Sequence, residues 1–137
     1  TLDEEDPREA VRAGAQGLVV SNHGGRQLDG VAATAVKLPA IVRAVGGQAQ
    51  VLVDGGIGSG VDVLRALGLG AQGVLIGRPW IWALAAGGEA ALAGMLARWQ
   101  EELRLAMSLA GVRRVADIDV GVLDGFTDAT RRQHGQE

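Results

Sequence analysis

The chain has 137 residues with a net charge of −3 and no run of basic residues, which suits one domain and argues against a nucleic-acid partner. Cysteine is absent, so disulfides and thiolate chemistry are excluded. No apolar run is expected to form a transmembrane helix, and the N-terminus lacks a signal-peptide pattern. We therefore expect a cytoplasmic protein without a membrane segment. The chain begins TLDEEDPREA, without Met, which we interpret as the middle of a longer protein.

Apolar periodicity predicts alternating helices and strands along the chain. In chain order the predicted elements are a helix at 5–13, a strand in AQGLVV, a helix at 34–45, a strand at 51–53, a helix at 59–69, a strand at 73–77, a short helix at 80–86 and a long helix at about 89–110. Pro39 is expected to bend or break the second helix. The wholly apolar, β-branched strands are typical of a parallel sheet covered by helices on both faces. The fold class is therefore α/β, and three βα units again indicate part of a larger domain.

A polar or glycine-rich cluster follows each predicted strand. The clusters are Ser21, Asn22, His23 and Arg26 after the first, Asp54, Gly55, Gly56, Gly58, Ser59 and Gly60 after the second, and Gly77 with Arg78 after the third. In parallel α/β proteins, ligands bind where the strands end. Three clusters on one edge therefore predict a shared ligand.

The second and third clusters suit a phosphate. The segment DGGIGSG leaves backbone N–H groups uncovered before a helix N-terminus, and Arg78 adds a planar cation. The alternative is plain turn chemistry, because Ser59 and Asp62 also form a capping-box pattern that only starts a helix.

The first cluster suits acid–base work. His23 can accept a proton near neutral pH, and Arg26 can hold a carboxylate in two parallel hydrogen bonds. The alternative is a surface loop whose His and Arg are solvated. We predict no metal site.

The segment SNHGGRQLDG followed by LVDGGIGSGVDVLRALGLGAQGVLIGRP resembles the FMN-dependent α-hydroxy acid oxidases and dehydrogenases, such as glycolate oxidase, lactate oxidase, mandelate dehydrogenase and hydroxymandelate oxidase. The resemblance implies the C-terminal portion of a (β/α)8 TIM barrel, about three βα units plus closing helices, at 1–118, with an irregular tail at 119–137. The N-terminal half of the same barrel would be its partner, within a homo-oligomer.

The resemblance also implies a function, the FMN-dependent oxidation of a small (S)-2-hydroxy acid to the 2-oxo acid. A mandelate-like aromatic substrate with oxygen as acceptor is favoured. The implied roles are His23 as catalytic base, Arg26 for the substrate carboxylate, Ser21 near the flavin ring, Asp54, Gly55, Gly56, Gly58 and Ser59 for the ribityl chain and phosphate, and Gly77 with Arg78 for the phosphate.

One departure from the family pattern concerns the phosphate. The family usually carries arginine after the DGG-x segment, whereas this chain has Gly58 and Ser59 there. Backbone N–H groups, Ser59 and Arg78 would then have to supply more of the contacts to the phosphate. The alternative function is a phosphate-ligand-binding half-barrel without redox chemistry, which the glycine-rich segment and Arg78 would fit equally well.

Overall fold

The computed structural model describes residues 5–123. Helices and strands alternate as predicted: α1 Glu5–Arg12, β1 Gly17–Val20, α2 Thr34–Val45, β2 Gln50–Val53, α3 Gly60–Gly68, β3 Gly73–Val74 and α4 Arg78–Leu109. Single 3-10 turns occupy His23–Gly25, Val115–Asp117 and Val120–Val122.

The three strands form a parallel sheet in the order β1-β2-β3. Val20 pairs with Val53, and Val53 pairs with Val74, so the strand ends meet at one edge. β3 is shorter than the predicted 73–77, although the Leu75 N–H still donates to the Val53 carbonyl at 2.9 Å. The chain then leaves the ladder towards α4, which places Gly77 and Arg78 just beyond the sheet.

The core lies between the sheet and α2. Val20, Leu38 and Ile41 have no exposed surface, and burying side chains of this size stabilises a fold by about 1.5–3 kcal/mol each. α2 is continuous from Thr34 to Val45 with Pro39 inside it, so the break allowed for at Pro39 is absent. The burial of Leu38 and Ile41 on either side of the proline favours the unbroken helix.

The long α4 is interrupted at Gly87 and Gly88, which have non-helical backbone angles (φ −160°, ψ 25° and φ 63°, ψ −154°). The interruption confirms the two helices predicted from the sequence, because it separates the start of α4 from the stretch that follows Gly88. In that second stretch Trp99 and Met107 are buried. Trp99 lies against the start of α3, where a Cβ built on Gly60 would be 2.1 Å from the Trp99 carbonyl oxygen.

By length and composition alone, α4 could cross a membrane (mean hydropathy 1.3). The expectation that no apolar run forms a transmembrane helix applies to the two halves of α4 as separate helices, whereas α4 taken as one 32-residue helix reaches that length. Two features argue against a spanning role. The helix breaks at Gly87–Gly88, and its second half carries Arg98 and Glu102, which are paired with each other.

The segment after α4 packs back on α3. A Cβ on Gly68 would lie 3.1 Å from the Asp119 carbonyl oxygen and from side-chain carbons of Val122 and Leu123. Packing therefore continues beyond Ile118, where the domain boundary was predicted. The rest of the predicted irregular tail, residues 124–137, lies outside the described residues.

Candidate active site

The loop after β1 is shaped by its own side chains. The Ser21 hydroxyl accepts a hydrogen bond from the His23 N–H at 3.0 Å, and Asn22 Oδ1 accepts one from the Gly24 N–H at 2.9 Å. His23 has φ +54° and is the one non-glycine residue with positive φ among residues 5–123. Such a backbone is uncommon outside glycine and persists where neighbours hold it. Ser21 and Asn22 supply that restraint, and the His23 and Arg26 side chains remain exposed.

Asp54, directly after β2, is fixed at three atoms. Its N–H donates to the Val20 carbonyl at 3.0 Å, its carbonyl accepts from Thr34 Oγ1 at 2.7 Å, and its Oδ2 accepts from Ser21 Oγ at 2.8 Å. The other carboxylate oxygen, Oδ1, is buried and has no hydrogen-bond partner among the described residues. A buried carboxylate oxygen without a donor is costly, so a donor from outside the described residues would stabilise Asp54.

Thr34 and Asn22 are site residues that the sequence reasoning missed or left without a role. Thr34 is 2% exposed, and its Oγ1 also lies 3.3 Å from the Gly55 carbonyl oxygen. A Cβ built on Gly55 would lie 2.9 Å from Asn22 Oδ1 and 3.2 Å from Thr34 Oγ1, and Gly55 itself has φ +86°. Glycine is therefore required there, by backbone angle and by space. Only the fold brings these residues together.

The first turn of α3 is capped by protein groups. Ser59 is the N-cap, accepts from the Asp62 N–H and donates to Asp62 Oδ2 at 2.8 Å. The Gly58 N–H donates to the same Asp62 oxygen, and the Gly60 N–H donates to Glu102 Oε2 at 2.9 Å. The capping alternative that was open for Ser59 therefore describes its observed contacts, and its phosphate role stays a prediction.

These hydrogen bonds lower the pKa values of the Asp62 and Glu102 carboxyl groups. Partial burial tends to raise the pKa of Asp62, but hydrogen bonds from Ser59 and Gly58 and the charge of Arg65 outweigh it, so the pKa lies below its ordinary value. The Gly60 N–H, followed by Arg98, likewise lowers the pKa of Glu102.

The strand ends open onto a cavity of about 820 Å³. Eight of the ten predicted site residues line it: His23, Arg26, Asp54, Gly55, Gly56, Gly58, Gly77 and Arg78. The other two, Ser21 and Ser59, do not line it and make the hydrogen bonds described above. Arg78 also lies close to the first loop, since a Cβ on Gly24 would be 3.6 Å from Arg78 Nη2. The three clusters therefore do share one space.

A smaller cavity, of about 420 Å³, adjoins this one and shares Gly24, Gly55, Gly56, Ile57 and Arg78 with it. Within residues 5–123, no three His, Cys, Asp or Glu side chains come together as a metal site would require.

The FMN-dependent dehydrogenase family matches residues 1–124 of this chain, and the chain belongs to that family. It is 52% identical over 132 residues to an L-lactate dehydrogenase of Pectobacterium atrosepticum, covering 96% of this chain and 33% of that protein. It is 58% identical over 117 residues to an L-lactate dehydrogenase of Stenotrophomonas maltophilia, covering 85% of this chain and 31% of that protein. The chain thus spans about a third of the length of the curated relatives it matches.

Among solved structures, the chain is similar to mandelate oxidase. A structure with benzoyl-formic acid is 56% identical, with a TM-score of 0.82 over 85% of this chain and 35% of that chain. A mandelate oxidase mutant with a monooxide FMN adduct gives the same identity and TM-score and covers 37% of that chain. These relatives do not support the alternative of a phosphate-binding half-barrel without redox chemistry.

Proposed function

We propose that this chain forms part of an FMN-dependent enzyme that oxidises a small (S)-2-hydroxy acid to the 2-oxo acid. The observation that carries the proposal is the cavity at the strand ends, which His23 and Arg26 share with Arg78. A proton acceptor, a carboxylate-binding cation and a phosphate-binding cation around one space are what a hydroxy acid and FMN together require. Family membership and the identity to lactate dehydrogenases and mandelate oxidase support the same reading.

The residues present fit FMN. Asp54 Oδ1 is a buried acceptor that has no donor among the described residues, and the ribityl chain of FMN carries hydroxyl donors. Gly55 and Gly56, at φ +86° and +83°, form a turn without side chains at the cavity wall. Among the described residues none accepts from the N–H of Gly56 or of Gly77, so both N–H groups and the Arg78 guanidinium suit a phosphate.

Bound FMN would supply the two-electron acceptor, and the residues of this chain would bind and orient the substrate. Arg26 would hold the substrate carboxylate in a bidentate pair, which turns the α-carbon towards His23. The His23 imidazole would take a proton, either from the α-hydroxyl oxygen or from the α-carbon. Both routes use the same base in the same position.

The rest of the site and barrel would come from the N-terminal portion of a (β/α)8 barrel. Trp80, Ile81 and Trp82, at the start of α4, are 40%, 48% and 63% exposed, and apolar side chains exposed together mark contact surfaces. We infer that they face the remaining barrel or a second subunit of a homo-oligomer. We also infer a cytoplasmic location, with which the absence of cysteine is compatible.

The test is to purify the full-length protein, record its absorption spectrum and identify any released flavin. Anaerobic addition of L-lactate or (S)-mandelate should bleach the flavin, with (R)-mandelate as the matched control. Faster bleaching by (S)-mandelate and oxygen consumption would support the aromatic oxidase form of the proposal. A colourless protein that does not bind added FMN would contradict the proposal.

A further inference from the structure

Thr34 is a buried polar residue whose hydroxyl serves another element. It is the first residue of α2, yet the cap of that helix is Ala33 and no side chain caps it. The Thr34 hydroxyl instead donates across 20 residues to the Asp54 carbonyl, at 2.7 Å. A threonine at the N-cap would bond the N–H groups of its own helix, but Thr34 lies one residue inside the helix. The observed bond therefore ties α2 to the turn after β2.

That turn carries the Asp54 carboxylate. With its N–H bonded to Val20, its carbonyl to Thr34 and its Oδ2 to Ser21, Asp54 keeps one free polar atom, the buried Oδ1. The Thr34 hydroxyl also lies 3.3 Å from the Gly55 carbonyl oxygen, so it holds both residues of a turn in which Gly55 has no side chain to restrict its backbone. Without the hydrogen bond from Thr34, Oδ1 would still be an acceptor, but its position would be less restricted.

We propose that Thr34 is a positioning residue, whose hydroxyl holds the Asp54 main chain so that Oδ1 meets a hydroxyl donor on the ribityl chain of the flavin. The inference rests on the proposed function. It concerns the polyol part of the ligand, and the phosphate is left to Arg78 and the neighbouring backbone. Riboflavin, which has the ribityl chain but no phosphate, is therefore a probe that separates the two.

The experiment compares Thr34→Ala with Thr34→Ser in the full-length apoprotein. Both variants lose the methyl group and differ only in the hydroxyl, so their difference isolates the hydroxyl with its contacts to the Asp54 and Gly55 carbonyl oxygens. Flavin titration should show binding weaker by roughly two- to tenfold in the alanine variant, by the same factor for FMN and for riboflavin. Ser108→Ala is the control, because it removes a hydroxyl bond to a backbone carbonyl, that of Arg104 at 2.9 Å, on the distant, exposed part of α4.

A double-mutant cycle with Asp54 distinguishes the positioning role of Thr34 from a merely structural role. If Thr34 acts through the carboxylate, the alanine-versus-serine difference should vanish when Asp54 is replaced by Ala, or by Leu, which also lacks an acceptor, where the alanine variant does not fold. A structural role would lower thermal stability in both backgrounds and leave the difference unchanged.

The outcomes are distinct. Wild-type protein that binds neither flavin would overturn the proposed function and this inference with it. Wild-type protein that binds flavin, with equal affinities in the Thr34→Ala and Thr34→Ser variants, would overturn the inference alone. A difference that persists without the Asp54 carboxylate would do the same.

Discussion

The N–H of Gly60 donates to Glu102 Oε2 at 2.9 Å, which joins the first turn of α3 to the second half of α4 across 42 residues. The contact requires a residue without a side chain. A Cβ on Gly60 would lie 2.1 Å from the Trp99 carbonyl oxygen and 2.6 Å from the Leu103 nitrogen. Because both are backbone atoms of a packed helix, neither can move aside as a flexible side chain could.

Gly60→Ala is accordingly expected to destabilise the fold by about 1–3 kcal/mol or more, as overpacking does. Denaturant unfolding measures the effect. Gly94→Ala is the matched control, because Gly94 lies in α4 with nothing within 4 Å of its Cβ position, so alanine should be neutral or stabilise by about 0.5–1 kcal/mol. Equal stabilities of the two variants would contradict the close approach of α3 and α4.

Stability should fall in acid through Asp62 and Glu102. Folding lowers the pKa of both carboxyl groups from ordinary values of 3.8 and 4.5. Their stabilisation is therefore complete above those values and is lost as the pH falls through the lower folded values. Unfolding followed from pH 6 to about pH 3 should show a shallower decline in Asp62→Asn and Glu102→Gln. Glu101→Gln, which loses only an exposed pair with Arg104, serves as control, and an equal effect there would contradict the assignment.

His23→Asn should retain bound flavin and lose turnover. Loss of a general base typically costs roughly a hundredfold to ten-thousandfold in rate. Asparagine tolerates the left-handed backbone of His23 (φ +54°) better than most residues, so the loop should keep its shape, with His23→Gln as a less tolerant comparison. Stopped-flow flavin reduction by substrate is the measurement, and a near-normal rate would remove His23 from the role of base.

Arg26→Lys should not behave as a conservative change. A lysine ammonium cannot reproduce the planar, two-bond contact of a guanidinium with a carboxylate. Rapid-mixing kinetics should therefore show weaker substrate binding together with slower flavin reduction. Unchanged binding of the 2-hydroxy acid would place its carboxylate elsewhere.

Arg78→Ala should weaken FMN binding by roughly ten- to a hundredfold, the value of a charge-assisted hydrogen bond. Gly58→Arg should recover part of that loss. Gly58 does not have a positive φ, and a Cβ there would meet only Asp62 Oδ2, at 3.7 Å, so the backbone accepts a side chain. FMN titration of the two single variants and the double variant tests both statements. Riboflavin affinity should be unaffected in all three, and a matching loss there would argue against a phosphate contact.

The local elements could be predicted from the sequence because their signals are local. The apolar strands and the glycines at 87 and 88 each act within a few residues, and the polar clusters at the strand ends follow from parallel topology. The break allowed for at Pro39 is absent, since buried Leu38 and Ile41 favour the unbroken helix over the local preference of proline.

The sequence did not reveal which residues form hydrogen bonds over long separations along the chain. Thr34 and Asp54 are 20 residues apart, and Gly60 and Glu102 are 42 apart, so no periodicity connects either pair. Ser59 was assigned to the phosphate by resemblance, whereas its observed bonds are those of the capping-box pattern with Asp62. In each case the observed contacts depend on a three-dimensional neighbour, because the residue type alone permits several.

The order β1-β2-β3 has a consequence for how the chain acquires its structure. Each strand pairs with the next one along the sequence, Val20 with Val53 and Val53 with Val74, so the separations are 33 residues (53 − 20) and 21 residues (74 − 53). Closing a short segment of chain costs less entropy than closing a long one. The three strands can therefore pair in the order in which they follow one another along the chain, and neither pairing has to close the longer segment that a direct pairing of β1 with β3 would require.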